Sequence, residues 1–122
     1  MQVQVLNVKS LTKESDIESF QLPLSLPKNY WLALKGYNQV ATAKTLGCKI
    51  LIMQGGRDYQ VTTADYNTWQ KELKTFPNVQ FKLYDKLNHF FMEGTGKSKP
   101  EEYDVEGNVP EYVIDDIAAF CK

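Results

Sequence analysis

Two residues of this chain have the types and the spacing that acid–base chemistry requires. Asp58 follows an apolar run that ends in a glycine pair, and His89, the one histidine of the chain, lies 31 residues later, after a second strand-like segment. A carboxylate that accepts the Nδ1 proton of a histidine fixes the tautomer of the ring and stabilises the imidazolium, which lets Nε2 take up and return a proton. The pair therefore predicts the acid and the base of a nucleophilic catalytic device.

Each residue also has a simpler interpretation. Aspartate after a glycine pair is commonly a turn residue, and a lone histidine is commonly a hydrogen-bonded structural residue. The occurrence of both at neighbouring strand ends favours the catalytic interpretation. Asp85 is the fallback acid and is otherwise a solvated turn residue, while Arg57 is expected to be structural.

The nucleophile of such a device is missing from the sequence. Covalent acyl transfer needs a serine on a tight strand-to-helix turn, flanked by glycines in the pattern Gly-x-Ser-x-Gly. None of the serines has these glycines; they are Ser10, Ser15, Ser19, Ser25 and Ser98. We therefore expect the isolated chain to be inactive.

The segments around the pair predict a strand, a helix and a strand. Lys49–Gln54 is a continuous apolar run of the kind that is buried on both faces of a sheet. Thr62–Asp65 fits a capping box that opens an amphipathic helix ending near Pro77, and Val79–Tyr84 alternates apolar and polar residues. This βαβ unit predicts parallel strands whose carboxyl ends, and with them the pair, share one edge of the sheet.

The C-terminal residues predict a helix packed on the sheet. Pro110 suits a first helical position, and Asp115 and Asp116 are expected outside an apolar face. That face comprises Val113, Ile114, Ile117, Ala118, Phe120 and Cys121.

The resulting fold class is α/β, with an incomplete sheet. Two strands do not form a stable sheet alone. Either Met1–Val8 supplies a third strand, or further strands come from a missing N-terminal part or from another copy of the chain. We interpret the chain as excised from a longer protein.

The remaining segments give weaker signals. Met1–Val5 alternates like a strand, Thr12–Phe20 could form one short helix, and Leu22–Pro27 is an extended connector. Tyr30–Thr45 is loosely helical, and Phe90–Val109 is a long loop of the kind that is often functional.

Composition excludes several functions. The net charge of -1, with charges of both signs interspersed, argues against nucleic acid, and no apolar run is long enough to cross a membrane. A cytoplasmic location is favoured, although any signal peptide would lie in the missing N-terminal part.

Cys48 and Cys121 are expected to be small buried hydrophobes, and with one histidine neither a metal site nor another cofactor is expected.

Aromatic residues and a glycine-rich segment offer two further candidate sites. Tyr30, Trp31 and Tyr37 are core residues or line an acyl or alcohol pocket, and Phe90 belongs to an apolar collar around His89. Gly94–Ser98 is similar to a phosphate loop, but the required first glycine is replaced by phenylalanine and Pro100 follows where a helix should begin, so we dismiss it.

The stretch from Leu26 to Ala119 resembles bacterial α/β-hydrolases of the dienelactone hydrolase and serine-esterase type. The residues that carry the resemblance are Tyr30-Trp31-Leu32 with Gly36-Tyr37, Ile50 through Val61, Phe81 through Tyr84, Leu87-Asn88-His89, and Gly94 through Ser98 with Glu102-Tyr103 and Gly107-Asn108-Val109. The Gln-Gly-x-Arg-Asp-x-x-Val and Leu-Asn-His elements are specific together.

The resemblance implies a C-terminal portion of an α/β-hydrolase fold in residues 26–122, with residues 1–25 as a variable cap or linker region. It implies Asp58 and His89 as triad acid and base, and a small acyl or ester substrate for the parent protein. A noncatalytic module derived from a hydrolase, self-associating through an exposed strand edge as a homo-oligomer, is the alternative.

Overall fold

A computed structural model describes residues 2–122 and divides the chain into two compact units, one ending at Gln39 and one beginning at Val40. Within that range lie the helices α1 (Gln2–Ser10), α2 (Lys28–Gly36), α3 (Gln39–Ala43), α4 (Thr63–Leu73) and α5 (Glu111–Cys121), and the strands β1 (Ile50–Gly55) and β2 (Val79–Tyr84). Short 3₁₀ turns occur at Ser19–Gln21, Pro23–Ser25 and Pro100–Asp104. The separate role of residues 1–25 remains a prediction.

The second unit contains the expected βαβ arrangement. β1 and β2 pair in parallel, with Ile50 opposite Val79 and Gly55 opposite Tyr84. No third strand accompanies them among residues 2–122. The predictions of both strands and of their parallel pairing are confirmed.

Helix α4 covers one face of this sheet. Tyr66 and Leu73, one on each half of the helix, are buried, and the Tyr66 ring meets the Phe81 ring of β2 edge-on at 6.0 Å. The predicted helix is confirmed, but the capping box is not formed, because the Thr62 side chain makes no cap hydrogen bond. Instead the backbone N–H of Asp65 donates to the backbone oxygen of Thr62 at 3.0 Å.

The prediction that β1 is buried on both faces is wrong for this chain. Ile50, Leu51, Ile52 and Met53 are only half-buried, and full burial begins at Gln54. The reason is that, among the described residues, β1 has a neighbouring strand on one side only. Its apolar composition exceeds what the described elements cover.

Helix α5 follows Pro110, which precedes the first helical residue instead of occupying it. Val113 is buried, but Ile114 is 55% exposed, so the apolar face is only partly covered. Asp116 does not lie outside the packed face as predicted. Its carboxylate accepts hydrogen bonds from Lys82 Nζ and Tyr84 Oη, both at 2.8 Å, and so joins α5 to β2.

The two cysteines are not the buried hydrophobes that the sequence favoured. Cys48 lies at the bend before β1 and Cys121 in the last turn of α5, and both are free and exposed. Apolar neighbours in sequence do not ensure burial at positions where an element begins or ends.

The first unit differs most from the sequence predictions. Residues 2–10 form a helix, so neither a strand at residues 1–5 nor a third strand from residues 1–8 exists in the described residues, and Met1 itself lies outside them. The side chains of Gln4 and Asn7, three residues apart on one helix face, donate to the backbone oxygens of Phe20 and Gln21. These contacts with a remote segment favour the helix over a five-residue alternation.

The helix expected at Thr12–Phe20 is absent. The Ser15 hydroxyl accepts a hydrogen bond from the Thr12 N–H at 2.9 Å, and Lys28 Nζ donates to the Ser15 backbone oxygen at 2.8 Å. These bonds stabilise a turn in place of a helical ladder. The predicted extended connector at Leu22–Pro27 is interrupted by a 3₁₀ turn, in which Leu24 has a positive φ of 55°.

The predicted helical character of Tyr30–Thr45 is confirmed by α2 and α3.

Candidate acid–base site

The loops after β1 and β2 meet at the carboxyl edge of the sheet. The N–H of Gly56 donates to the oxygen of Tyr84 at 2.8 Å, and the N–H of Arg57 donates to the oxygen of Leu87 at 2.9 Å. A Cβ atom on Gly55 would lie 2.4 Å from the backbone oxygen of Asn88. The glycine pair is therefore required for the two loops to pack backbone against backbone.

This packing brings Asp58 and His89 together. His89 Nδ1 and Asp58 Oδ2 are 2.8 Å apart, and the other carboxylate oxygen, Oδ1, accepts the N–H groups of Gln60 at 2.8 Å and Val61 at 3.0 Å. The Asp58 side chain is 5% exposed and that of His89 is 36% exposed. The carboxylate is thus fixed in a buried position, while the imidazole reaches the surface.

The protonation of Asp58 follows from its surroundings. Burial alone raises the pKa of this carboxyl, but the hydrogen bonds from His89, Val61 and Gln60, with the charge of His89, lower it further, so that the pKa lies below its ordinary value. An ionised carboxylate can only accept hydrogen bonds, so Nδ1 of His89 carries a proton. In the neutral ring Nε2 is then the unprotonated nitrogen, which is the one able to accept a proton from another molecule.

Asn88 shapes the turn that carries His89. Its side chain is buried, and its Oδ1 accepts the N–H groups of Phe90 at 3.0 Å and Met92 at 3.1 Å. Phe91 inside this turn has a positive φ of 59°. A non-glycine residue rarely adopts this conformation, so the bonds to Asn88 stabilise a strained turn.

Arg57, the residue before Asp58, crosses to the loop after β2. Its side chain is 6% exposed, and its Nε donates to the oxygen of Gly96 at 2.7 Å, while Nη2 pairs with Glu102 Oε1 at 2.6 Å. Its backbone oxygen accepts the Ser98 hydroxyl at 2.6 Å. The segment that is similar to a phosphate loop therefore binds an arginine through its backbone carbonyls, and Ser98 uses its hydroxyl internally.

Glu102 receives a second contact at its other oxygen. Asn88 Nδ2 donates to Oε2 at 3.3 Å. Burial opposes the ionised form of Glu102, but the bonds from Arg57 and Asn88 and the arginine charge lower its pKa below the ordinary value. Glu102 and Asn88 are among the residues that carry the resemblance, but the sequence predicted neither the role of Glu102 nor the burial of Asn88.

Aromatic rings adjoin the imidazole. The Phe90 ring lies 5.8 Å from the His89 ring and 4.3 Å from that of Tyr103, which in turn stacks on Tyr59 at 6.1 Å. Phe90 is 53% exposed. It also borders an apolar cavity of about 480 Å³ between β1 and α5. Phe90 therefore borders both the His89 ring and this cavity, and it contacts Tyr103, for which the sequence predicted no role at the site. The assignment of Phe90 to substrate binding stays a prediction.

The other aromatic candidates belong to the first unit. Tyr30 and Trp31 of α2 meet edge-on at 5.3 Å, and Tyr30 and Tyr37 are exposed. The Trp31 indole nitrogen is buried and has no hydrogen-bond partner among the described residues. Their assignment to a substrate pocket stays a prediction.

The fallback acid Asp85 does not contact the histidine ring. Asp85 is exposed in the turn after β2, where its Cα lies close to Gly56. The imidazole Nδ1 of His89 contacts Asp58 instead. No group of three or more histidine, cysteine or acidic side chains among residues 2–122 is arranged to hold a metal ion. In the same part of the chain, no helix has the length and apolarity to cross a membrane.

The fold and the site define a small α/β unit with a hydrogen-bonded aspartate and histidine at the carboxyl edge of two parallel strands. Over 115 residues, which are 94% of this chain, the sequence is 39% identical to Esterase EstD of Thermotoga maritima. The match covers 28% of that esterase, so the chain spans just over a quarter of its relative's length. No protein-family model matches the chain, and no solved structure matches it.

Proposed function

We propose that this chain is the C-terminal segment of a serine hydrolase that cleaves carboxylic ester or related acyl bonds, and that it supplies Asp58 and His89 as acid and base. The observation that carries the proposal is the 2.8 Å contact between Asp58 Oδ2 and His89 Nδ1, made at the edge where parallel strands end. The similarity to an esterase supports it. The finer assignment to the dienelactone hydrolase and serine-esterase type of α/β-hydrolase is part of the same proposal.

The geometry supports a chemical role for each residue. A serine supplied by the preceding part of the parent attacks the acyl carbon while Nε2 of His89 takes its proton. The ionised Asp58 stabilises the imidazolium, which then protonates the leaving alcohol or other leaving group, and water releases the acyl group by the same route. Phe90 and the apolar cavity beside it are suited to the hydrocarbon part of an ester.

The proposal is tested by placing this chain in a complete enzyme. The chain replaces the matching segment of Esterase EstD, and hydrolysis of p-nitrophenyl esters is measured for the chimera and its variants. Asp58→Asn retains the shape but forces the wrong tautomer, so kcat is expected to fall by about 10⁴-fold, and His89→Ala by at least as much.

Asp85→Asn is the matched control, because it removes a carboxylate from the neighbouring loop that does not contact the histidine ring. It is expected to retain the activity of the chimera. A chimera whose hydrolysis survives His89→Ala would refute the proposal.

The exposed strand edges favour one second candidate, a noncatalytic module that self-associates. Each of the two strands has an edge without a neighbouring strand among residues 2–122, and such edges can pair with another copy. Light scattering across a dilution series distinguishes the two functions. A stable monomer at all concentrations would exclude self-association through this edge.

A further inference from the structure

The residues just before Asp58 and His89 are connected to each other through a third side chain. Arg57 precedes Asp58, Asn88 precedes His89, and both contact the carboxylate of Glu102, at 2.6 Å and 3.3 Å respectively. Glu102 is remote in sequence, 45 residues from Arg57 and 14 from Asn88. Glu102 thus adds a side-chain connection between the acid loop and the base loop, in addition to their backbone hydrogen bonds and the contact of Asp58 with His89.

We infer that Glu102 is a positioning residue, which keeps the His89 ring at hydrogen-bond distance from Asp58 by holding Arg57 and Asn88 together. The contact itself is in the structure; its consequence for catalysis rests on the proposed function. Glu102 does not touch the imidazole, so its effect must pass through the backbone of its two partners.

Each partner transmits the position of Glu102 to the pair. The backbone of Arg57 continues into Asp58, whose own N–H donates to Gly55 O at 3.2 Å. Asn88 holds the following turn through the N–H groups of Phe90 and Met92. A shift of Asn88 therefore moves the residue between it and Phe90, which is His89.

The donor and acceptor types make the arrangement specific. Arg57 Nη2 and Asn88 Nδ2 are both donors, and the carboxylate offers a separate acceptor oxygen to each of them. In Glu102→Gln one of the two oxygens is replaced by an NH₂ group. That group then faces either Arg57 Nη2 or Asn88 Nδ2, so one hydrogen bond is replaced by a contact between two donors. Asn88→Asp retains the acceptor for Phe90 and Met92 but turns an oxygen toward the Glu102 carboxylate, which is repulsive.

The double variant Glu102→Gln with Asn88→Asp restores complementarity. The glutamine oxygen accepts from Arg57, and its amide donates to the new aspartate, with the total charge unchanged. A merely destabilising pair of substitutions would add their losses, whereas the exchange of donor and acceptor predicts rescue.

The experiment uses the chain as it stands and does not need the serine. Because the chain has one histidine, its ring signals are unambiguous in proton and nitrogen NMR. The native chain is expected to show a hydrogen-bonded Nδ1–H resonance, and Asp58→Asn to lose it. Each single variant is expected to lose this resonance or to exchange it with water about tenfold faster, the factor expected for one weakened hydrogen bond to a charged group.

Glu101→Gln is the matched control, since it removes the same charge from an exposed neighbour in the same 3₁₀ turn. It should keep the resonance. The backbone amide spectrum of β1 and α4 shows whether each variant is folded.

The outcomes separate the two proposals. Loss in both single variants with recovery in the double variant supports the positioning role. A folded single variant with an unchanged resonance, or a double variant without recovery, overturns it while leaving the acid–base pair intact. A native chain that is folded by its backbone amide spectrum but lacks the resonance overturns the pair itself, and with it the basis of the proposed function.

Discussion

The stability of the chain should depend on pH through Asp58, and the structure gives the sign of the effect. The pKa of Asp58 in the folded chain lies below its ordinary value of 3.8. A depressed folded-state pKa means that this carboxylate contributes its full stabilisation above about pH 4, and that the contribution is lost as the pH falls through the folded-state value.

The substitution Asp58→Asn isolates that contribution. The asparagine oxygen can still accept from Gln60 and Val61, but both bonds become neutral, and the amide nitrogen meets His89 Nδ1. Hydrogen bonds to a charged group contribute about 1.5–3 kcal/mol and neutral ones about 1 kcal/mol, so we expect a loss of about 1–3 kcal/mol at neutral pH. For a chain of this size the melting temperature should fall by about 4 °C for each kcal/mol.

Urea unfolding, followed by tryptophan fluorescence, measures the difference between the native chain and the variant as a function of pH. The difference is expected to persist from neutrality down to about pH 4 and to shrink as the pH falls further, because the native carboxylate then becomes protonated. Glu102 and Asp116, whose pKa values are also lowered, cancel in the comparison since both proteins contain them. A difference that is independent of pH would show that the carboxylate charge does not stabilise this site.

Two further predictions concern packing around the site and the sheet. Gly94→Ala places a Cβ 2.1 Å from Arg57 Nη1, so it should reduce the free energy of unfolding by about 1–3 kcal/mol in thermal denaturation. The control Gly47→Ala adds a Cβ in open space and should change the free energy of unfolding by no more than about 0.5 kcal/mol. Equal effects of the two substitutions would argue against the close approach of Gly94 to Arg57. Leu73→Ala truncates a fully buried side chain and should lower the free energy of unfolding in urea by about 2–5 kcal/mol. Leu83→Ala, on the half-exposed strand, should lower it by less than about 1 kcal/mol. A reversed order would contradict the assignment of Leu73 to the core.

The sequence predicts those parts of the fold whose signals are local. β1, α4 and β2 each have a periodicity or an apolar run that fits within one element, and their order predicts the parallel pairing that the structure shows. Helix α1 was missed because contacts of Gln4 and Asn7 with a segment more than ten residues away help to hold it. The burial of β1 was overestimated because an apolar run shows that a strand is suited to burial on both faces. It does not show whether other elements are present to cover those faces.

The same distinction applies to the site. The proximity of Asp58 and His89 could be predicted because each follows one of two successive strands in the sequence, and parallel strands bring such positions to one edge. Glu102 follows no strand, and a carboxylate in a loop is usually solvated, so nothing local marks it. The structure shows that the Arg57 side chain reaches the loop that follows β2. There the Glu102 carboxylate accepts hydrogen bonds from two buried donors, Arg57 and Asn88.

The position of Glu102 also bears on how an acid–base pair should be identified in related chains. The 2.8 Å contact between Asp58 and His89 joins two loops that are otherwise separate in sequence, and a single hydrogen bond to a partly exposed ring is a weak restraint. The connection through Glu102 uses two donors whose side chains are buried, Arg57 and Asn88. A chain that retains the aspartate and the histidine but lacks an acceptor for these two donors should therefore hold the pair less firmly, so the presence of both motif residues is not sufficient evidence of a functional site.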